Sequence, residues 1–413
     1  MNKLLRTFIH FGKRLATNPL AISSVASSLA GAGSLLIAAN RMDAEQFTTF
    51  AMLNLVSVTS WGFARVAVFQ PALLLLRTDK TFTVPFRYAL ALCGLLVLPT
   101  AVIYYVVGST DIGYVVALAI ANCVPFLQDW LRFRSMGEGR RWRIAIADVT
   151  RLLALAAFLP IGWLFEDATR FQTFICLTFF IPIIIHMVRL KRARYSQKYS
   201  AYAGDSRAQM ADFGLSQLNA TIPLLVLGSL GTSAMIGAVR LAQTIFGPLN
   251  LVFSASATNL LANGATNKEF QSDIYLIAQT KKLAWRLALV SAIVVVGGFV
   301  VAAIIPSGLI SVGRDEFGLA ILGVGSLAIT SGWSAIHTLT LRMLGHNRMI
   351  VRLRALLIAG TWSAYAIGAV IGGIGTSVVA GYFTAAALYP ILFGGTAYSV
   401  YKRETPGSID REQ

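Results

Sequence analysis

The stretch RLKRARYSQKYSAYAGDSRAQ, residues Arg189–Gln209, separates two long series of apolar segments, and this division decides the predicted fold. Of the 413 residues, 56% are hydrophobic and only 13% are charged, and the mean hydropathy is +0.67. Soluble domains carry about 25% charged residues. Much of this chain is therefore expected to face lipid rather than water.

Apolar runs of about 20 residues, the length that crosses a bilayer as a helix, recur on both sides of that stretch. They predict twelve membrane helices, numbered span 1 to span 12 along the chain. Spans 1 to 6 are predicted at Asn18–Ala39, Phe47–Leu76, Pro85–Val107, Ile112–Leu131, Trp142–Trp163 and Phe171–Val188. Spans 7 to 12 are predicted at Ala211–Leu230, Ala234–Leu261, Leu283–Ile305, Phe317–Leu339, Ile350–Gly373 and Thr376–Tyr401. The fold class is thus an all-α polytopic membrane protein in two six-helix halves.

Basic residues alternate from one end of the spans to the other. If the N-terminus is cytoplasmic, 29 of the 35 Lys and Arg residues fall in cytoplasmic segments or at the cytoplasmic ends of the spans, and the outer loops hold only Arg41, Arg170 and Arg314. This positive-inside pattern predicts that both termini are cytoplasmic. It also accounts for the net charge of +17, so we expect no nucleic-acid partner.

The two sets of six spans share features of a parallel repeat. The second span of each set is long and contains a proline, Pro71 in span 2 and Pro248 in span 8. We therefore predict a six-helix lobe with a basic N-terminal segment at residues 1–190 and a cytoplasmic linker at 191–210. A second six-helix lobe with a short cytoplasmic tail is predicted at 211–413.

Several kinds of site are missing from the sequence. It contains no glycine-rich nucleotide loop and no histidine pair with metal-ligand spacing, and its extramembrane segments are short. These observations argue against an ATP-driven pump and against an enzyme that builds its site from a large loop. We expect a protein that is not an enzyme and that needs neither a metal nor an organic cofactor. A coupling ion is left open.

Span 2 holds an arginine far from either end. An arginine at the centre of a membrane helix costs about 2.5–3.5 kcal/mol and usually faces a cavity or a partner. Arg65 shares its span with Asn54 and Gln70 and precedes Pro71, which indicates a kinked helix with a polar stripe. Arg65 is therefore a candidate anion-binding residue in a cavity wall. The alternative is a tilted helix whose arginine reaches the headgroups or a backbone carbonyl.

Two further arginines lie inside predicted spans. Arg240 in span 8 is followed by Gln243 and Asn250 at helical spacing, either as a polar cavity face or with an arginine that reaches the outer headgroups. Asp148 and Arg151 in span 5 are three residues apart and share a helix face. They form either a self-neutralised pair or an anion- or proton-linked site.

The charges predicted inside the spans are cationic on balance. Asp148 is the one clear acid against three arginines. Gln217 and Asn219 in span 7 add polar groups, which helix-to-helix hydrogen bonds explain as well as substrate contacts do. The guanidinium group suits phosphate and diphosphate because its donors form a planar fork. The interior therefore predicts an anionic substrate.

At this point the chain resembles the multidrug, oligosaccharidyl-lipid and polysaccharide (MOP) exporter superfamily, and within it the bacterial O-antigen and exopolysaccharide flippases. The resemblance lies in the six-plus-six spans, in QDWLRFRSMGEGRRWRIAIADVTRLL at Gln128–Leu153, and in FGPLNLVFSA at Phe246–Ala255. It implies two six-helix lobes around a central cavity, alternating access, and a bacterial cytoplasmic membrane. It implies a polyprenyl-diphosphate-linked oligosaccharide as substrate, held by Arg65, Arg240 and Arg151. It also implies membrane lipids, a polysaccharide polymerase and glycosyltransferases as partners.

Two other functions are weighed against this flippase hypothesis. An ion-coupled exporter of small molecules with the same fold would need carboxylates inside the membrane, where the sequence indicates only Asp148. An enzyme acting on lipid-linked sugars would need larger extramembrane segments or an acid–base pair at the outer face. The flippase is therefore the leading prediction and the exporter its alternative.

Overall fold

A computed structural model describes residues 18–75, 86–107, 111–158, 160–188, 203–229, 239, 242–243, 246–304 and 314–404. Within these ranges every regular element is a helix. Seven of the described helices are long and apolar enough to cross a membrane, and two shorter apolar helices accompany them. The predicted fold class, an all-α polytopic membrane protein, is confirmed. The basic N-terminal segment and the C-terminal tail after Glu404 lie outside the described residues.

Each predicted span contains a described helix. The first set comprises Pro19–Arg41 (span 1), Ala44–Ala64 continuing through Arg65–Phe69 into Gln70–Leu75 (span 2), Phe86–Val107 (span 3), Ile112–Ala121 and Cys123–Gly137 (span 4), Arg141–Ala157 (span 5), and Ala168–Leu177 and Phe180–Met187 (span 6). A short 3-10 turn, Gly162–Phe165, follows span 5. Span 5 ends before its predicted limit because Pro160 cannot continue the helix.

The second set runs to longer helices. It comprises Ala203–Ser229 (span 7), Gly247–Thr266 (span 8), Asp273–Ile304 (span 9), Arg314–Met343 (span 10), and Asn347–Tyr389 continuing through Pro390–Gly394 into Gly395–Glu404 (spans 11 and 12). The 3-10 turn Lys268–Gln271 precedes span 9. Span 7 begins at Ala203, inside the stretch predicted as a linker, and span 9 begins at Asp273 rather than at Leu283. The remainder of the predicted linker, up to Tyr202, lies outside the described residues.

The chain forms two compact units. Unit 1 comprises the chain up to Ser206 together with Leu261–Thr266, and unit 2 comprises Arg207–Leu260 and the chain from Asn267 onward. In unit 1, span 1 packs against span 5, span 5 against span 6, and span 2 against spans 3 and 6. In unit 2, span 10 packs against both span 9 and span 11. Helices that are distant in sequence, such as spans 1 and 5, therefore become neighbours in unit 1.

Three helices of unit 1 begin at an aspartate. The carboxylates of Asp43, Asp111 and Asp167 each accept a hydrogen bond from a backbone N–H two or three residues further on, at 2.7–2.8 Å. A carboxylate at this position satisfies a free N–H and interacts favourably with the helix dipole. These acids of the predicted outer turns therefore stabilise helix starts.

Besides the division of spans 4 and 6 into two helices each, regular α-helix is interrupted at three places in the described residues. Span 2 widens into a π-helical segment at Arg65–Phe69, just before Pro71, and span 12 does so at Pro390–Gly394. Such segments recur at functional sites. Spans 11 and 12 separate at Gly372 and Gly373, the second of which has a φ of 73°, in the left-handed region that favours glycine. The predicted boundary between these two spans lies at this break.

Candidate functional site

Arg65 is held by a carboxylate from a neighbouring helix. Its Nε lies 2.5 Å from Oδ2 of Asp129, and its Nη2 lies 3.1 Å from Oδ1 of the same side chain. The side chain of Asp129 is 2% exposed and that of Arg65 is 39% exposed. This two-point contact joins the start of the π-helical segment of span 2 to span 4. Arg65 is tolerated in an apolar span because Asp129 neutralises it, a partner that the sequence did not indicate.

Asp148 connects three helices of unit 1. Its Oδ2 accepts a hydrogen bond from Oγ of Ser23 in span 1 at 2.5 Å and lies 3.4 Å from Nη2 of Arg132 in span 4. Arg132 also donates to Ser23 at 2.7 Å. Asp148 itself lies on span 5 and is 2% exposed. A single carboxylate thus holds spans 1, 4 and 5 together.

Arg151 makes its contacts with span 6 rather than a close ion pair with Asp148. Its Nε donates to Oγ1 of Thr178 at 3.3 Å, and its guanidinium carbon lies 3.4 Å from the centre of the Phe179 ring. Among the ion pairs of the described residues, Asp148 pairs with Arg132 and not with Arg151. The structure therefore does not bring Asp148 and Arg151 together as a self-neutralised pair. Residues three apart on a helix differ by about 60° in direction, which is enough to give them different partners.

A hydrogen-bonded polar stripe runs along span 2. Asn54 donates to Oε1 of Gln172 at 3.2 Å, Gln172 donates to Oγ of Ser57 at 2.9 Å, and Ser57 lies 2.7 Å from the hydroxyl of Tyr104. One turn further on, the indole N–H of Trp61 donates to Oδ1 of Asn122 in span 4 at 2.7 Å. Of the predicted stripe of Asn54, Arg65 and Gln70, only Asn54 takes part in this network, which bonds span 2 to spans 3, 4 and 6 of unit 1.

Unit 2 contains a second buried cluster of charges. Asp212 in span 7 is paired with Arg342 of span 10, and it lies 2.8 Å from Nε of Arg354 in span 11. Arg354 also donates to the hydroxyl of Tyr389 at 2.9 Å and stacks over the ring of Phe393 at 4.9 Å. The side chains of Arg342 and Arg354 are only 15% and 10% exposed. We call Asp212, Arg342, Arg354 and Tyr389 the unit 2 cluster.

The two units place their charges on equivalent helices. Asp148 joins the first, fourth and fifth spans of unit 1, and Asp212 joins the first, fourth and fifth spans of unit 2. The acid lies on the fifth span in unit 1 and on the first span in unit 2. The sequence did not indicate this, because Arg132, Arg342 and Arg354 were counted among the cytoplasmic basic residues although Arg354 falls within predicted span 11. The one available signal was position, since Arg354 lies several residues inside an apolar run.

Buried acids are more numerous than the sequence indicated. The prediction of one clear acid, Asp148, is wrong, because Asp129 and Asp212 are equally buried at 2% exposure. Asp129 was assigned to a polar segment at the end of span 4, and Asp212 lies at the second residue of predicted span 7. Each of these carboxylates contacts at least one arginine. A proton or another cation that neutralised such a carboxylate would leave its arginine without that counterion.

The remaining predicted residues lie in different surroundings. Gln243 donates to the hydroxyl of Tyr382 at 3.1 Å within unit 2. Asn219 has a buried side-chain oxygen without a partner in the described part of the chain. Gln217 and Gln70 are partly buried. Arg240 and the side chain of Asn250 lie outside the described residues, so their predicted roles stay predictions. In the described ranges, no group of His, Cys, Asp and Glu side chains could hold a metal ion.

Solved structures with this architecture include several transporters of the MATE family. A crystal structure of MATE in the straight conformation is 13% identical, covers 93% of this chain and 95% of its own, and superposes with a TM-score of 0.70. The outward-facing conformation of a multidrug resistance MATE family transporter of the MOP superfamily is 14% identical, covers 94% of both chains and has a TM-score of 0.71. A mutant of the Vibrio cholerae MATE transporter VcmN is 13% identical, covers 94% of this chain and 95% of its own, and has a TM-score of 0.68.

The chain has the MATE fold. Identity at this level shows the fold alone, and the fold agrees with the predicted superfamily resemblance. No protein-family model matches the chain, and no curated protein matches it. The narrower resemblance to polysaccharide flippases therefore stays a prediction. The MATE fold and the long apolar helices together make the chain a multi-pass membrane protein.

Proposed function

We propose that this protein is a secondary transporter that exports small organic molecules by alternating access and is coupled to an ion through the buried carboxylates of unit 1. From the sequence alone this exporter ranked behind the flippase, because the sequence indicated only one carboxylate inside the membrane. Two buried carboxylates of unit 1, Asp129 and Asp148, now support it. The observation that carries the proposal is Asp148, whose one side chain holds spans 1, 4 and 5.

Neutralising Asp148 would change how these helices pack. A protonated Asp148 no longer balances Arg132, whose side chain is 13% exposed. Removing one partner of a buried ion pair costs about 3–5 kcal/mol. That is comparable to the about 5.5 kcal/mol that moves a two-state equilibrium from 1:99 to 99:1. Within this proposal, losing the charge of Asp148 would therefore be enough to disfavour the described packing of spans 1, 4 and 5.

Arg65 leaves part of its charged side chain accessible in unit 1. Its side chain is 39% exposed, whereas its partner Asp129 is almost fully buried. A substrate that contacts the guanidinium group competes with Asp129 for the same donors. We therefore place substrate contact at Arg65 and ion coupling at Asp148. The proposal involves no covalent chemistry, so the protein is not proposed to be an enzyme.

The test is transport by the purified protein in proteoliposomes under an imposed pH gradient, with a fluorescent organic dye as substrate. Asp148→Asn keeps the shape of the side chain and cannot titrate, so we expect dye binding without gradient-driven transport. Glu138→Gln is the matched control, because Glu138 is an exposed acid of unit 1 that pairs with Arg134 and Arg140. Gradient-driven transport by Asp148→Asn at the wild-type rate would refute the coupling role. Asp148→Glu, which retains the charge, distinguishes lost coupling from misfolding.

One observation favours the flippase as a second candidate. In unit 1, Arg65, Arg132 and Arg151 outnumber Asp129 and Asp148, and in the unit 2 cluster two arginines contact one aspartate. An arginine excess suits a diphosphate-linked glycan in a cytoplasmic membrane. Polymerases and glycosyltransferases are partners proposed only for this candidate.

Deletion of the gene in its own organism separates the two candidates. A flippase predicts loss of surface glycan, accumulation of the lipid-linked intermediate, and rescue by wild type but not by Arg65→Ala. Unchanged surface glycan with no intermediate contradicts the flippase. The small-molecule exporter would instead show altered accumulation of organic dyes in the deletion strain.

A further inference from the structure

One face of span 9 is exposed along its length. Its exposed side chains recur every three or four residues and comprise Ile274, Ala278, Lys282, Trp285, Arg286, Leu289, Ile293, Val296 and Val300. This spacing corresponds to one stripe along an α-helix. The stripe is apolar except at Lys282 and Arg286. A change from apolar to basic and aromatic residues on one exposed stripe marks the level at which the helix leaves hydrocarbon.

The length of the helix places this change at the lipid headgroups. From Leu287 to Ile304 the helix rises about 27 Å, close to the about 30 Å thickness of a bilayer core. Lys282, Trp285 and Arg286 therefore lie just beyond one edge of the hydrocarbon. Tryptophan and basic residues are enriched at this depth, and basic residues there attract anionic lipids. The positive-inside pattern assigns this edge to the cytoplasmic leaflet.

The polar atoms of these three side chains are available to a ligand. Trp285 is 70% exposed, and in the described part of the chain neither Lys282, Trp285 nor Arg286 makes a hydrogen bond or an ion pair. Residues four apart on a helix project to the same side. Two cationic groups and an indole N–H therefore face one position outside the helix, all as donors.

We infer that Lys282, Trp285 and Arg286 bind the phosphate group of an anionic phospholipid, while the apolar stripe from Leu289 to Val300 contacts its acyl chains. Charge complementarity selects this ligand over a zwitterionic lipid. It also disfavours a symmetric contact with a second copy of the chain, because the same basic side chains would then meet each other. The inference is independent of the substrate that the protein transports.

Span 11 supplies a matched control. Arg348 and Arg352 have the same spacing of four, are both exposed, and likewise have no partner in the described ranges. The first tryptophan after them is Trp362, ten residues after Arg352, or about 15 Å along the helix. This pair therefore has the charge of the proposed site without its tryptophan.

The test uses the full-length protein and two lipids, phosphatidylglycerol and phosphatidylcholine. Native mass spectrometry counts the bound lipid, and a thermal melt measures the stabilisation that each lipid gives. We expect wild type to prefer phosphatidylglycerol, and we expect this preference to fall about 30-fold in Lys282→Ala/Arg286→Ala. Each basic group near a membrane surface changes the binding constant for anionic lipid about fivefold, and the variant removes two such groups. Arg348→Ala/Arg352→Ala is expected to retain most of the preference.

Three outcomes would overturn the inference. Wild type with no preference between the lipids would do so, and so would an equal loss in both double variants, which indicates general electrostatic attraction. A dimer that forms without anionic lipid and is lost in Trp285→Ala would replace the lipid by a second copy of the chain. If Lys282→Ala/Arg286→Ala does not fold, a photoreactive phosphatidylglycerol applied to wild type decides the question. Its cross-link must map to residues 282–286.

Discussion

Replacing Asp212 by asparagine tests whether the unit 2 cluster is a coupled set of charges. Asp212 is the carboxylate that contacts both Arg342 and Arg354, and these arginine side chains are 15% and 10% exposed. Asparagine keeps the size of the side chain and removes its charge. Two largely buried guanidinium groups would then face each other without a counterion. We expect Asp212→Asn to lower the free energy of unfolding by about 3–5 kcal/mol. That is a large share of the about 5–15 kcal/mol that stabilises a typical domain.

A variant of one arginine partner, Arg354→Gln, adds a second comparison to this prediction. Arg354→Gln leaves the Asp212–Arg342 pair in place, so we expect a smaller loss than in Asp212→Asn. Combining both changes relieves the repulsion between the arginines, so the double variant should be more stable than the sum of the single effects predicts. Residues in contact show coupling energies of about 0.5–3 kcal/mol. The measurement is the unfolding of the purified protein by denaturant or by heat, with all variants in the same detergent.

An exposed arginine two residues away serves as the control. Arg352 lies on the same helix as Arg354 and is exposed, so Arg352→Gln should change stability by at most about 0.5 kcal/mol. The reasoning fails if Asp212→Asn is as stable as Arg352→Gln. The prediction is also wrong if the losses in the free energy of unfolding caused by Asp212→Asn and Arg354→Gln simply add in the double variant, because residues of one network are expected to show coupling.

Three further predictions follow from other contacts. Arg65→Ala should destabilise unit 1 by leaving Asp129 unpaired, and Arg65→Ala/Asp129→Ala should recover part of the lost stability in the same unfolding assay. The stability lost in Arg65→Ala should be smaller than in Asp212→Asn because Arg65 is 39% exposed. Gly368→Ala should cost about 1–3 kcal/mol, since its new methyl group would press on the backbone of Ser377, whereas Gly297→Ala meets open space and should be neutral or slightly stabilising. A fluorescent protein fused to the C-terminus should fold and fluoresce if that terminus is cytoplasmic. A fusion that does not fluoresce, together with an active periplasmic reporter at the same position, would reverse the predicted orientation.

The predicted helices depended on local properties of the chain. A run of about 20 apolar residues has to span a bilayer wherever it folds, and its limits are set by charges and by Pro or Gly. The break at Gly372 and Gly373 was predicted for this reason. Span 9 was predicted too short because Lys281 and Lys282 were taken as its end, whereas the helix continues through them to Asp273.

The partners of the charged residues could not be predicted in the same way. Asp129 lies 64 residues from Arg65, and Asp212 lies 142 residues from Arg354. Nothing in the local sequence specifies which helices become neighbours. The proposed pairing of Asp148 with Arg151 relied on their spacing of three residues. Their side chains instead point to different neighbouring helices.

The sequence by itself determined that this chain crosses a membrane many times, where its helices lie, and that charges remain inside them, because hydropathy and the positive-inside pattern act on short segments. The tertiary structure decided which charges neutralise each other. It showed that three carboxylates are buried rather than one, and that Asp148 and Asp212 each join the equivalent three helices of their unit. The physical reason is that the energy of a buried charge depends on the groups within a few ångströms of it, and only packing brings those groups together.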